Sequence, residues 1–408
     1  RVHAKPLRTM KLLVVLSRVP YPLEKGDKLR AYHLITRLAR RHEVYLFCLT
    51  DQRIEEGHLA HLRAYVAHIE VVQLPVWRIL GRLFTAVFSR LPFQVAYFHH
   101  RSAQRAIDKA IATFRPDHIL CQLVRTTEYV RNRFDVPRTL DYMDTLSKGI
   151  ERRTENAPFW IRPLLRTETR RLIAYENLML DLFDRHVIIS AQDRDLLYHP
   201  ARDRVAVIPN GVDTDFFRPQ DAEKTYDLVF TGNMNYPPNI DSVLYLAHQV
   251  LPLVRAHRPG TSLLISGVDP SPRVRELARV DPLITVSGRV PDIRTSYASA
   301  RVFAAPMQIG TGLQNKLLEA MAMRMPCVTS ALANNAVGAV PDESILIGQE
   351  PADYASHILR LLGDEAEHQR IADNGYRFVR DHFSWAQSAE ALDRLIESAS
   401  TAAPAAGA

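Results

Sequence analysis

The sequence predicts an α/β protein built from two doubly wound parallel sheets in tandem. Three observations carry that reading. Short apolar runs alternate with longer amphipathic segments along nearly all of the 408 residues, as in strands joined by helices that cover both faces of a parallel sheet. The runs fall into two series of six or seven. A turn-rich stretch, Ile208-Pro209-Asn210-Gly211-Val212-Asp213, separates the series and suits a linker.

In chain order, residues 1–9 precede Met10-Lys11 and are expected to be a disordered extension. The first series of strands is expected at 11–16, 43–49, 69–74, 118–123, 138–141, 186–190 and 205–208. The second is expected at 227–231, 261–266, 283–287, 301–305, 326–330 and 344–347. Amphipathic segments such as 28–40, 102–114 and 239–257 lie between them. These elements divide the chain into an N-terminal domain over 10–205 and a C-terminal domain over 206–384. A last helix at about 385–399 is expected to pack back on the N-terminal domain, with a frayed tail to 408.

Composition narrows the function classes. Apolar residues make up 47% and charged residues 24%, the balance of an ordinary globular protein. Cys48, Cys121 and Cys327 are an odd number and sit in apolar runs, so they read as reduced core thiols of a cytosolic protein. The run 12–16 is too short for a signal-peptide core, and no run of 18 apolar residues exists to cross a membrane. Charge is split. Residues 1–205 carry 35 Lys and Arg against 22 Asp and Glu, a balance of +13, whereas 206–408 carry 17 against 23, a balance of −6. A basic half suits a polyanionic or membrane-surface partner. A general bias toward Arg is the other source of the charge, since only 8 of the 52 cations are Lys.

Open α/β sheets bind ligands at the carboxyl ends of their strands. The first strand lacks G-x-G-x-x-G, so a dinucleotide cofactor is not expected, and no P-loop is present. No H-E-x-x-H, paired C-x-x-C or G-x-S-x-G exists, and Asp213-Thr214-Asp215 suits a turn better than a metal. The informative stretch is 301–328, a strand, a Gly-rich turn and a helix. Gly310 and Gly312 allow close approach of the backbone to an anion. The N–H groups near 312–315 and Lys316 would face phosphate oxygens. Glu319 stands where a carboxylate can accept from vicinal hydroxyls. The same residues also fit an ordinary helix with a Lys316–Glu319 ion pair.

This arrangement resembles the retaining glycosyltransferases of family 4, which have the GT-B fold. Leu318-Glu319-Ala320-Met321-Ala322 and Pro326-Cys327-Val328 match the second half of that family's donor motif. Thr311 stands where its first Glu would be. The run from Gly310 to Ala322 looks like the branch linked to exopolysaccharide and PEP-CTERM (exosortase) loci. Further matches are Pro20-Tyr21-Pro22 with Gly26-Asp27-Lys28 and Arg30, then Arg41-His42-Glu43-Val44, then 207–213. Phe230-Thr231-Gly232 and Gly288-Arg289-Val290-Pro291-Asp292 with Tyr297 follow, so the resemblance spans about 10–400.

The resemblance implies two Rossmann-like doubly wound domains facing across a cleft, with the acceptor in the first and a nucleotide-diphosphate sugar in the second. It implies that Glu319 holds the ribose hydroxyls. Gly312, Leu313 and Gln314 would offer backbone N–H groups to the diphosphate, Gly310 and Thr311 would belong to the same donor site, and Gly232 would end the first strand of the donor domain. Gly288, Arg289 and Val290 would edge the base, and Gly26 and Asp27 would lie across the cleft near the donor phosphates. The cations that usually follow the Phe-x-Gly turn are replaced by Asn233 to Asn239, so Lys316, Arg289 or Lys28 would supply that charge. Asn239 also suits a helix N-cap. Asp144, then Asp141, would provide the polar catalytic group after the strand at 138–141, with His99-His100 a weaker candidate. No metal and no cofactor is implied. A nucleotide-sugar epimerase and a non-catalytic GT-B binding module are the alternatives. A nucleic-acid partner is not expected, because no recognition motif accompanies the charge.

One more segment carries chemistry. Residues 71–107 hold five Arg and no acidic residue. Within 76–91, Trp77, Ile79, Leu80, Leu83, Phe84, Val87, Phe88 and Leu91 make one apolar face, and Arg78, Arg82, Thr85 and Ser89 line the other. Such a helix either packs in the core or lies in an anionic membrane interface. The second outcome, with Trp77, Arg78 and Arg82 as contacts, would suit a polyprenyl-diphosphate-linked or glycan acceptor at the inner face of the cytoplasmic membrane.

Overall fold

The computed structural model describes residues 9–23, 25–155, 157–309 and 312–402, so the extension expected at 1–9 falls outside it except for Thr9. The chain forms two compact units, 1–209 with 386–408, and 210–385.

The first unit holds a seven-stranded parallel sheet. Its strands are β1 (Lys11–Leu16), β2 (Glu43–Thr50), β3 (His68–Gln73), β4 (His118–Gln122), β5 (Arg138–Met143), β6 (Arg185–Ile188) and β7 (Ala206–Val207). Their order is β3-β2-β1-β4-β5-β6-β7. The second unit holds a six-stranded parallel sheet of β8 (Tyr226–Thr231), β9 (Leu263–Ser266), β10 (Ile284–Gly288), β11 (Ala300–Ala305), β12 (Cys327–Ser330) and β13 (Leu346–Gly348). Its order is β10-β9-β8-β11-β12-β13.

Each sheet steps outward from its first strand and then returns to that strand's other side. The reversal lies between β1 and β4 in one unit and between β8 and β11 in the other. Connections leave toward opposite faces at such a point, and a crevice opens at the carboxyl ends of the strands. In the register there, Val14 pairs with Leu46 on one side and Leu120 on the other. Residues 12–16 are all buried, because helices cover both faces of the sheet.

All thirteen strands lie within two residues of the apolar runs expected from the sequence. The helical segment expected at 239–257 is more complex. It runs as Pro237–Tyr245, a π turn over Leu246–Val250 and Leu251–His257. Pro252 lacks the N–H that a regular turn would use, and the wider turn before it accommodates the ring. Cys48, Cys121 and Cys327 are buried free thiols.

From residue 386 the C-terminal helix, Trp385–Ala402, belongs to the first unit. Asp393 lies 2.7 Å from Nε2 of His42 and 2.6 Å from Nη1 of Arg41. The Ser388 hydroxyl donates to the Pro209 carbonyl at 2.8 Å.

The helix Val76–Val87 is divided. Ile79 and Ala86 are buried, but Trp77, Leu80, Phe84, Val87 and Phe88 are exposed. Core packing therefore accounts for only part of its apolar face. Among the described residues no helix is long and apolar enough to cross a membrane.

Candidate functional site

The second unit concentrates glycine where its strands end. Gly232 closes β8, Gly267 follows β9 and Gly288 closes β10, all with positive φ. The Gly232 N–H donates to Ser266 O, and the Gly267 N–H donates to Gly288 O, each at 3.0 Å. A Cβ on Gly267 would stand 1.7 Å from the Gly232 carbonyl oxygen. No side chain fits there, so this end of the sheet is lined by backbone. Gly267 was not among the residues singled out in the sequence.

Two charged side chains from the helix Asn315–Ala322 reach this floor. Lys316 Nζ donates to Asn239 Oδ1 at 2.6 Å and to Gln314 Oε1 at 3.1 Å, and lies 5.2 Å above the Phe230 ring. Its Cε would be 3.6 Å from a Cβ placed on Gly232. Burial lowers its pKa to about 8, with Glu319 opposing. Asn239 is therefore not the N-cap its sequence position suggested. The helix already starts at Pro237, leaving the Asn239 amide to bridge Lys316 and the Asn233 carbonyl.

Glu319 lies one helical turn beyond Lys316. The Tyr297 hydroxyl donates to Glu319 Oε2 at 2.7 Å and sits 2.8 Å from Thr231 Oγ1. With Tyr297 donating to the carboxylate, Thr231 is the donor to Tyr297, which makes a relay from the end of β8 to Glu319. Burial lifts the Glu319 carboxyl to about 7, against the pull of Tyr297 and Lys316. Tyr297 belongs to the sequence motif that begins at Gly288, and nothing in that motif marks its bond to Glu319, 22 residues on. Gly312, Leu313 and Gln314 lead into the helix and are half-buried. Gly310 and Thr311 lie outside the described residues. At the end of β10, Arg289 is exposed and Val290 half-buried.

The first unit brings a second set together where β1, β4 and β5 end. Arg18 Nη1 donates to Asp27 Oδ2 at 2.6 Å, and the Gln122 amide donates to the Asp27 carbonyl at 3.1 Å. Gly26 is exposed at the start of the helix Gly26–Leu38. Leu123 and Met143 hold positive φ just past β4 and at the end of β5. Such strain in bulky residues is characteristic of functional turns. Asp144 follows Met143 and reaches solvent. The protein around it and the Asp193 and Asp27 carboxylates lift its pKa to about 6, while Arg125 opposes. Burial and Arg18 lower the Arg125 pKa, and Asp27 and Asp144 raise it.

Asp141 has different surroundings. It is buried, accepts from Arg30 Nε at 2.6 Å, and takes the Met143 N–H on its other oxygen at 3.1 Å. Arg30 also donates to the Ile208 carbonyl at 2.9 Å. Both carboxylate oxygens thus serve the protein interior.

Asp213 accepts from the backbone of Asp215 and Phe216, as a turn residue does. Arg82 binds the His99 carbonyl at 3.0 Å and its Nδ1 at 3.1 Å. His100 donates its N–H to the Tyr129 hydroxyl. Arg78 stacks on Trp77 at 4.8 Å. Among the described residues no three His, Cys, Asp or Glu side chains are grouped to hold a metal ion.

Two family models match the chain. One, Glycosyltransferase Family 4, covers residues 29–216, and the other, Glycosyl transferases group 1, covers 225–364. An uncharacterized 44.6 kDa protein in the cps region of Klebsiella pneumoniae is 21% identical over 91% of this chain and 96% of its own length. The MMP alpha-(1->4)-mannosyltransferase of Mycolicibacterium hassiacum is 26% identical over 65% of this chain and 66% of its own. Among solved structures, sucrose-phosphate synthase from Thermosynechococcus elongatus superposes with a TM-score of 0.67 at 17% identity, covering 96% of this chain and 100% of that one. Anabaena HepE in complex with UDP and glucose gives 0.67 at 16% identity, covering 95% and 100%.

Proposed function

This chain is a glycosyltransferase of the GT-B superfamily, and from that premise we propose that it moves a sugar from a nucleotide-diphosphate donor to a glycan or lipid-linked acceptor, with retention and without a metal. The observation that carries the donor half is the grouping of Gly232, Lys316 and Glu319 on one glycine-lined floor. It offers backbone and a cation to a diphosphate, and a carboxylate to vicinal hydroxyls. The similar Anabaena fold has been seen with UDP-glucose, which supports the same donor class here.

In this reading the second unit binds the donor and the first binds the acceptor. The bond from the anomeric carbon to the diphosphate breaks as the bond to the acceptor oxygen forms on the same face. Lys316 and the N–H groups of the turn at 312–314 stabilise the departing diphosphate. Asp144, with its carboxyl near 6, receives the acceptor proton. A role in exopolysaccharide or other cell-surface polysaccharide synthesis of the PEP-CTERM-linked type fits the donor-motif residues. The relative in a cps region points the same way. Work at the inner face of the cytoplasmic membrane fits a lipid-linked acceptor.

The test is incubation with UDP-, GDP- and ADP-sugars and a polyprenyl-diphosphate-linked acceptor, with and without EDTA. Release of nucleoside diphosphate with a product of retained anomeric configuration, unaffected by EDTA, is expected. A donor sugar changed in configuration without diphosphate release would make the protein an epimerase. Donor binding with no turnover would make it a binding module.

A further inference from the structure

A large apolar surface of the first unit is left uncovered by the chain itself. On the helix Val76–Val87 and the residue after it, Trp77, Phe84 and Phe88 are 68%, 70% and 81% exposed. A second group stands where the helix Arg162–Leu182 begins, with Phe159 82%, Trp160 68% and Leu164 54% exposed. Side chains of this size do not remain in water without cost, and clustered exposure marks an interaction site.

The helices that carry the two groups are joined to each other. Leu164, Glu168 and Arg171 share a face of their helix at i, i+4 and i+7. Glu168 accepts from the Phe93 and Gln94 N–H groups at 2.7 and 2.9 Å. Arg171 donates to the carbonyls of Ala86 at 2.8 Å and Val87 at 3.1 Å. The second helix is thus stitched to the end of the first, beside Phe84 and Phe88. Between the two helices lies a recess of about 550 Å³, walled by Arg82, Arg90, Arg131 and Arg171 with Glu128 the one acidic side chain.

Charge selects the occupant. Residues 71–107 contain five Arg and no acid, and 157–175 contain four Arg and one acid, Glu168. Glu168 is buried under its bonds to the backbone, so the outward charge is positive. Arg90, Arg162, Arg166 and Arg170 are exposed among the apolar groups. Aromatic side chains mixed with arginine match the boundary of an anionic bilayer, where rings insert and cations meet lipid phosphates.

We propose that segments 76–88 and 159–164 form one two-part docking surface for an anionic phospholipid bilayer. It deepens the lipid-linked acceptor reading and rests on that reading only in placing the acceptor at a membrane. Both parts insert, so neither alone holds the protein on the bilayer.

The test is co-sedimentation of the full chain with vesicles of phosphatidylcholine, alone or with 30% phosphatidylglycerol as a working composition of about one anionic lipid in three. Phe84→Ser/Phe88→Ser and Phe159→Ser/Trp160→Ser are compared with the parent. These positions are exposed, and the thermal response to a nucleotide sugar, read in parallel, reports the second unit independently. The parent is expected to bind the anionic vesicles at low salt at least about fivefold better than neutral ones. Each double variant is expected to lose most of that binding while its nucleotide-sugar response is unchanged. Parent binding that ignores lipid charge overturns the proposal. So does an unaffected Phe159→Ser/Trp160→Ser variant, or a dimer in solution that both variants dissociate, which would assign the surface to a second copy. Loss of the nucleotide-sugar response in the parent would instead count against the transferase reading.

Discussion

The Tyr297 hydroxyl donates to Glu319 Oε2 at 2.7 Å and so ties the short helix Ile293–Ala298, between β10 and β11, to the helix after β11. The bond fixes the carboxylate that is proposed to take the donor's hydroxyls. Glu319→Ala should weaken nucleotide-sugar binding by one to two orders of magnitude, from a charged hydrogen bond of about 1.5–3 kcal/mol. The variant should fold, because the freed Tyr297 hydroxyl already lies 3.4 Å from the Lys316 carbonyl. Tyr297→Phe should weaken binding less. Calorimetric titration of the three proteins checks the order.

Donor affinity should follow a bell-shaped pH profile. Ionised Glu319 is the better acceptor for hydroxyls, so binding should strengthen as pH rises through about 7. Charged Lys316 attracts the diphosphate, so binding should weaken above about 8. Glu319→Gln should flatten the lower limb and Lys316→Arg should move the upper limb higher. Fold stability runs the other way on the acid side. A carboxyl raised from 4.5 to about 7 is ionised in the unfolded chain while still protonated in the fold, so Glu319 costs stability as pH rises across that window. Chemical denaturation at pH 5 and pH 7.5, for the parent and Glu319→Gln, should show that contribution only in the parent.

Gly267→Ala should destabilise the second unit by about 3 kcal/mol, because its Cβ would overlap the Gly232 carbonyl. Gly260→Ala, where a Cβ meets nothing within 4 Å, is the control and should be neutral. Urea midpoints of the two variants make the comparison.

Asp141 and Asp144 should separate stability from turnover. Asp141→Ala leaves buried Arg30 without its carboxylate and should cost about 3–5 kcal/mol. Asp144→Asn removes a carboxyl that the fold already disfavours as an anion, so its Tm should be equal or higher. Its kcat should fall by about two to four orders of magnitude. Thermal melts beside initial rates distinguish the two.

The strands were legible because parallel sheets covered on both faces demand near-continuous apolar runs, as in residues 12–16 and 228–230. The stretch around Lys316 and Glu319 was legible because strand, glycine turn and helix are contiguous. What escaped depends on contacts distant in sequence. Arg30 and Asp141 are 111 residues apart, and nothing local marks either as the other's partner. The need for glycine at 267 comes from the backbone of Gly232 on the neighbouring strand. Asn239 reads locally as a cap, and its approach to Lys316, 77 residues away, gives it another use. The helix Val76–Val87 was legible as amphipathic, but its periodicity could not say which part of the apolar face the core would take.

The central claim is that the second unit binds a nucleotide sugar on the floor made by Gly232, Lys316 and Glu319. Its most direct measurement is thermal unfolding of the parent, Lys316→Ala and Glu319→Ala with UDP-, GDP- and ADP-sugars. A donor present at about 100 times its Kd stabilises the fold by about 2.7 kcal/mol, so one donor series should raise the parent's Tm and shift both variants by clearly less. A parent that responds to none of the donors, or variants that respond as fully as the parent, would contradict it.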